Sequence, residues 1–188
     1  MQLMTINSVL LWLVLLVNLF LTLAIIRRLN LNSGEPIEML QVGQLAPDFV
    51  AETLTGEQVT LANYRGHALV LVFVSPTCGY CRQYIPELEA MNHKVERSDI
   101  QIILVSDSEI TQTQTYAEEL SITLPIISAP RSVSTFLADY KIGGVPFYVM
   151  IDSDQRVLSS GVLNDPRWRE LSNKWRKEDL STKTIATF

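Results

Sequence analysis

Only two cysteines, Cys78 and Cys81, occur in 188 residues. Two cannot build the disulfide framework that staples small secreted domains, and they fall short of the four ligands a structural zinc site requires. Histidine is equally scarce: His67 and His93 lie in other segments. Gly and Pro number 8 each, which excludes collagen-like and proline-rich repeats. There is no long basic run, and 20 acidic residues outweigh 15 basic ones to give a net charge of −5. That balance argues against a nucleic-acid partner. A hydrophobic fraction of 47% excludes a globally disordered chain. What remains is a vicinal dithiol on a folded chain, which is a redox proposition.

Charge is also missing from the whole stretch before Arg27. Val9 to Ile26 reads VLLWLVLLVNLFLTLAII, interrupted only by Asn18 and Thr22, and is stopped by Arg27 and Arg28. At ~1.5 Å per residue, a helix reaching back toward Ile6 spans a bilayer core of about 30 Å. A cleaved signal peptide is the competing reading. The segment MQLMTINS lacks a positive n-region and no Ala-x-Ala site follows the apolar run, so an uncleaved single-pass anchor is expected. Counting Arg27 and Arg28 by the positive-inside rule puts the following domain in the cytoplasm.

The remainder divides into a linker over 29–44, one α/β domain over 45–177 and a loose tail over 178–188, after an anchor over 1–28. Asn30, Asn32, Ser33, Gly34 and Pro36 mark the linker. Asp48 to Leu61 reads as a hairpin turning at Thr55-Gly56. The runs ALVLVFV (68–74) and IQIILV (100–105) read as strands buried on both faces. Between them Cys81, Ile85, Leu88, Met91 and Val95 recur at helical spacing over 79–97, with Pro86 expected to kink that helix. Further elements are expected as a helix over 109–120, a strand over 124–127, a helix over 131–140, strands over 146–151 and 156–160, and a helix over 165–177 bearing Trp168, Leu171 and Trp175. Such an order calls for a mixed sheet with helices on both faces.

The sequence Ser75-Pro76-Thr77-Cys78-Gly79-Tyr80-Cys81-Arg82 falls where the apolar strand ends and the helix begins. Cys78 is expected in the first turn, where free backbone N–H groups and the helix dipole stabilise a thiolate. Cys81, about one turn on and on the apolar side, is expected to be shielded and within reach of a mixed disulfide at Cys78. Gly79 and Tyr80 set the loop between them, and Tyr80 flanks its entrance.

These motifs resemble the membrane-anchored thioredoxin-like proteins of the TlpA/ResA type, and among them the MauD type of methylamine-utilisation accessory proteins. The matching features are the apolar N-terminus, Leu45-Ala46-Pro47-Asp48-Phe49, Thr53-Leu54-Thr55-Gly56, Val72 through Cys81, Pro86 and Gly144-Val145-Pro146-Phe147. The resemblance implies a thioredoxin-like mixed central sheet with helices on both faces, plus one N-terminal transmembrane helix. It makes Cys78 the attacking and Cys81 the resolving cysteine, and Pro86 the helix-kinking proline. Pro146 becomes a cis-proline facing the dithiol, and Val145 offers backbone groups to an extended substrate segment. Pro76, Thr77 and Gly79 frame the site, and an extra β–α insertion falls near Ile100 to Leu120. No metal and no cofactor are implied. The implied partners are a disulfide-containing protein substrate and a membrane thiol-redox protein. The implied role is forming or arranging the disulfides of the methylamine dehydrogenase small subunit. The domain would then face the periplasm from the cytoplasmic membrane, against the arginine count.

The chain also departs from that pattern. Tyr84 stands two positions before Pro86, where reductive members resemble one another in an acid; Leu69 to Val74 holds no acid, and Thr77 replaces the usual tryptophan. Without a proton acceptor near Cys81, the sequence fits a specialised accessory protein, oxidant or isomerase better than a fast general reductase. Three other readings stand beside it. A thiol peroxidase would share Ala46-Pro47-Asp48-Phe49 but not the Pro76-Thr77-Cys78 spacing. A copper chaperone would need His67, which precedes the central strand at the end away from the dithiol. A non-catalytic assembly scaffold would need neither thiol.

Overall fold

The computed structural model describes residues 2–32, 39–95 and 100–173. The chain forms two compact units, Met1–Glu38 and Met39–Phe188. The first contains α1 (Gln2–Asn32), a single helix. Within it Ile6–Arg27, mean hydropathy 2.9, is long and apolar enough to cross a bilayer. The Thr22 hydroxyl donates to the Asn18 carbonyl at 2.8 Å, so the helix itself satisfies this one polar group.

The second unit is built on β1 (Val50–Thr53), β2 (Gln58–Thr60), β3 (Ala68–Val74), α2 (Gly79–Val95), β4 (Ile100–Ser106), α3 (Ile110–Glu119), β5 (Ile126–Ser128), α4 (Phe136–Asp139), β6 (Phe147–Ile151) and β7 (Val157–Val162). A last helix, α5, covers 166–173. The strands make one seven-stranded sheet in the order β2-β1-β5-β4-β3-β6-β7. β3, β4 and β5 run parallel, whereas β6, β7 and the β1–β2 hairpin are antiparallel to their neighbours.

The unbroken apolar run of β3 is explained by its two faces. Leu69, Leu71 and Phe73 enter one core with Phe49, Phe136 and Tyr140; Val70, Val72 and Val74 enter another with Cys81, Ile85 and Trp168. α2, α3 and α5 thus cover one face, and α4 with the stretch from Leu40 covers the other. On that second face Phe49 stacks on Phe136 with centroids 4.1 Å apart, and the Tyr140 hydroxyl donates to the Pro47 carbonyl at 2.7 Å.

The structure corrects several boundaries. β5 starts at Ile126 rather than Leu124. The carboxylate of Glu89 on α2 takes the N–H groups of Thr123 and Leu124 at 2.7 and 3.0 Å, and Pro125 has no N–H to give a ladder. The helix expected over 131–140 is only Phe136–Asp139. Val133 and Ser134 donate instead to the Pro130 carbonyl, and Phe136 N–H to the Ser134 hydroxyl at 3.2 Å, so side-chain and turn bonds compete with the helix there. Val133 is accordingly exposed, not part of an apolar face. β7 begins one residue later and runs two further than expected, to Val162. Packed structure also reaches into the stretch read as linker: Leu40 is buried, and Gly43 N–H donates to the Val157 carbonyl at 2.8 Å. Trp175, Lys177, residues 178–188, the end of the 79–97 helix and the middle of the 29–44 linker lie outside the described residues.

Candidate redox site

β3 delivers the chain to the site as a rigid, doubly buried strand. Its last residue, Val74, receives Asp107 N–H on its carbonyl at 3.2 Å. Ser75 to Thr77 then turn sharply. Cys78 N–H donates to the Ser75 carbonyl at 3.0 Å, and the Ser75 and Thr77 hydroxyls share a hydrogen bond at 3.1 Å. Gly79 opens α2, so Cys78 occupies the position before the first helical residue.

Cys78 and Cys81 are joined in a disulfide, their Cα atoms 5.3 Å apart. The two sulfurs have different surroundings. Cys81 is fully buried in the core beneath α2, whereas Cys78 is half-buried. Cys81 N–H donates to Cys78 Sγ at 3.2 Å. That donor, at the positive end of a helix, favours negative charge on Cys78 over Cys81.

From the other side of the sheet's end the loop before β6 closes on the pair. The Val145 carbonyl oxygen lies 3.8 Å from Cys78 Sγ, and the Val145–Pro146 peptide bond is cis. Gly143 and Gly144 before it are exposed. The fold therefore brings Cys78, Cys81, Val145 and Pro146 into one place, and they come from segments that sequence spacing does not link. Thr77 and Tyr80 are exposed at its rim, Tyr80 by 72%. Pro86 lies two turns further along α2 and faces solvent, with the helix continuing through it.

Arg82 lies folded back along the surface, its side chain 40% exposed. It donates to the Pro76 carbonyl at 3.3 Å and pairs with Glu119 of α3 at 2.9 Å. Glu119 and Tyr116, over whose ring Arg82 sits, are the neighbours that sequence reasoning missed; no spacing signal joins α3 to the cysteine loop. Tyr84, in the position of the absent acid, is half-buried against the apolar core with Cys81. His67 precedes β3, and Cys78 follows its far end, roughly 20 Å away at strand rise. Among the described residues no three His, Cys, Asp or Glu side chains gather as metal ligands.

A mixed sheet with a cysteine pair at the junction of a buried strand and a helix defines a class, the thioredoxin-like thiol-disulfide oxidoreductases. The chain belongs to the AhpC/TSA family, whose model matches residues 42–166. It is 26% identical over 170 residues to the methylamine utilization protein MauD of Methylophilus methylotrophus, covering 84% of this chain and 77% of that one. It is 25% identical over 122 residues to the thiol-disulfide oxidoreductase ResA of Bacillus cereus, covering 64% and 69%. Among solved structures it matches a putative thiol:disulfide interchange protein DsbE from Chlorobium tepidum. That match has TM-score 0.64 and 25% identity, covering 74% of this chain and 97% of that one. The protein is accordingly a thiol-disulfide oxidoreductase.

Proposed function

We propose that the Cys78–Cys81 pair exchanges disulfides with a protein substrate, forming or rearranging its disulfides. The substrate is methylamine dehydrogenase or a similar periplasmic protein undergoing maturation. The observation that carries this reading is the unequal setting of the two sulfurs, one buried and one half-open beneath the Val145 carbonyl.

In the oxidising direction a substrate thiolate attacks Cys78 Sγ, and the disulfide breaks to release Cys81 as a thiolate. A second substrate thiolate then attacks the substrate sulfur of the mixed disulfide and releases Cys78. The substrate has lost two electrons to the dithiol, which a membrane thiol-redox partner reoxidises. An extended substrate segment lies along Val145 and Pro146 in the manner of an added strand, with Tyr80 flanking it. Direction is supported by what surrounds Cys81. β3 is wholly apolar and Tyr84 replaces an acid, so no carboxylate there takes the Cys81 proton in a reductive cycle.

The same reading places α1 in the cytoplasmic membrane as a single span, with the domain on the periplasmic side. The apolar Ile6–Arg27 segment supports the span. The resemblance to TlpA/ResA-type proteins supports the side against the charge of Arg27 and Arg28.

The test is Cys81→Ser in the full chain. In the rearranging direction the Cys78 thiolate still attacks a substrate disulfide, and without Cys81 this chain has no thiol to resolve the product, so covalent partners accumulate on non-reducing gels and are identified by mass. Partners that are periplasmic proteins with several disulfides are expected. An empty gel, or cytoplasmic partners alone, contradicts the reading.

A further inference from the structure

Arg82 sits one residue beyond the cysteine pair and is held on three sides. Its guanidinium donates to the carbonyl of Pro76 at 3.3 Å. It pairs with the carboxylate of Glu119 at the end of α3 at 2.9 Å. It also lies over the Tyr116 ring, 5.4 Å from the centroid. Its backbone N–H donates to the Cys78 carbonyl at 3.4 Å. A positive charge is thus fixed against the loop that carries Cys78, and a negative charge from another helix is fixed against that positive one. Pro76 and Tyr116 leave the guanidinium little freedom to turn away, since a flat cation held on a ring and a carbonyl has a preferred plane.

We propose that Arg82 and Glu119 form a charge couple that sets how readily Cys78 ionises. Arg82 favours the thiolate, and Glu119 offsets part of that field. Both are positioning residues; neither touches the sulfurs or the substrate. The step they bias is simple: the Cys78 S–H bond breaks, its proton goes to solvent, and the electron pair stays on sulfur. A more stable thiolate makes Cys78 a better leaving group and the disulfide a stronger oxidant. The inference rests on Cys78 being the exchanging sulfur. Among the described residues, the other titratable groups toward this end of the sheet are Tyr80 and Tyr84 on α2, Asp107 just after β4 and Arg131 in the turn after β5, the last two paired at 3.4 Å.

The test measures the pH midpoint of Cys78 alkylation in the reduced full-length protein in detergent, in a Cys81→Ser background so that one thiol reports. Arg82→Gln is expected to raise the midpoint by about half a pH unit, the size of a single nearby charge acting through a largely solvated path. Glu119→Gln is expected to lower it by roughly 0.3, and the double variant to return close to the parent. Arg82→Lys keeps the charge and stays near the parent, with far-ultraviolet circular dichroism confirming that all four are folded. A purely structural latch loosens whichever end is removed and moves both single variants in the same direction. That result, or a shared midpoint, overturns the couple. The two failures are separable: if the parent never forms mixed disulfides, the exchange reading falls; if it does while the variants behave alike, only the charge couple falls.

Discussion

The backbone N–H of Cys81 points at the sulfur of Cys78, 3.2 Å away. The resolving position therefore lends its main-chain donor to the sulfur it will later attack, while its own sulfur stays in the core. Charge on Cys78 is met by a donor in place, and among the described residues no hydrogen bond reaches Cys81 Sγ.

That asymmetry predicts the reactivity of the reduced protein. Cys78 should be alkylated at neutral pH at least about tenfold faster than Cys81, because the thiolate is the nucleophile and burial suppresses it. Mass-spectrometric site quantification over time checks this; equal rates would show that the difference in burial is not expressed in solution.

Glu89 ties α2 to the start of β5 by accepting from Thr123 N–H, Leu124 N–H and the Thr123 hydroxyl. Glu89→Ala leaves those donors to water and is expected to cost about 1–3 kcal/mol. For a domain of this size each kcal/mol lowers Tm by roughly 2–4 °C. Glu89→Gln, which keeps an acceptor, should lose less. A thermal melt that does not distinguish Glu89→Ala from the parent would remove this anchor from the account.

Phe136 meets Phe49, Phe73 and Tyr140 at centroid distances of 4.1, 5.4 and 4.8 Å. Truncating it opens a cavity among aromatic rings, at an expected cost of about 3–5 kcal/mol, a large share of the stability of an ordinary domain. Urea unfolding of Phe136→Ala should show a clearly lower midpoint; a loss under about 1 kcal/mol would mean that the site collapses around the gap.

Tyr116 predicts a pH effect of definite sign. Its hydroxyl is buried without a hydrogen-bond partner among the described residues, and burial pushes its pKa up to about 12, with Arg82 opposing in part. Burial raises Tyr140 as well, with Asp48 and Asp139 adding to the shift. In the unfolded chain both ionise near the ordinary value of about 10. Above that pH the unfolded state holds fewer protons than the folded one, so stability is full below about pH 10 and falls as pH rises toward 12. Tyr116→Phe should flatten that fall without lowering stability at neutral pH, since no hydrogen bond is lost. Denaturation midpoints measured from pH 8 to 11.5 decide it; an equally steep alkaline fall in the variant excludes Tyr116 as a contributor.

The central strands were legible because burial on both faces writes itself as an uninterrupted apolar run, as in Ala68 to Val74. The Cys78–Cys81 spacing was legible because one helical turn brings the two side chains together. The β5 boundary was not, since Glu89 competes for Thr123 and Leu124 from 34 and 35 residues away. Nor was the shortness of α4, where the Ser134 hydroxyl captures a backbone N–H that a longer helix would use. The Arg82–Glu119 pair lay beyond sequence reading for the same reason: tertiary packing of α2 against α3 makes it, and no local pattern encodes it.

The stretch from Gly43 to Ala46 is hydrogen-bonded alongside Gln155 to Val157, where β7 starts. The sulfurs lie beside the beginning of β6, at the opposite pole of the sheet. The seam by which residues 43–46 join the sheet therefore lies at the end remote from the exchanging bond.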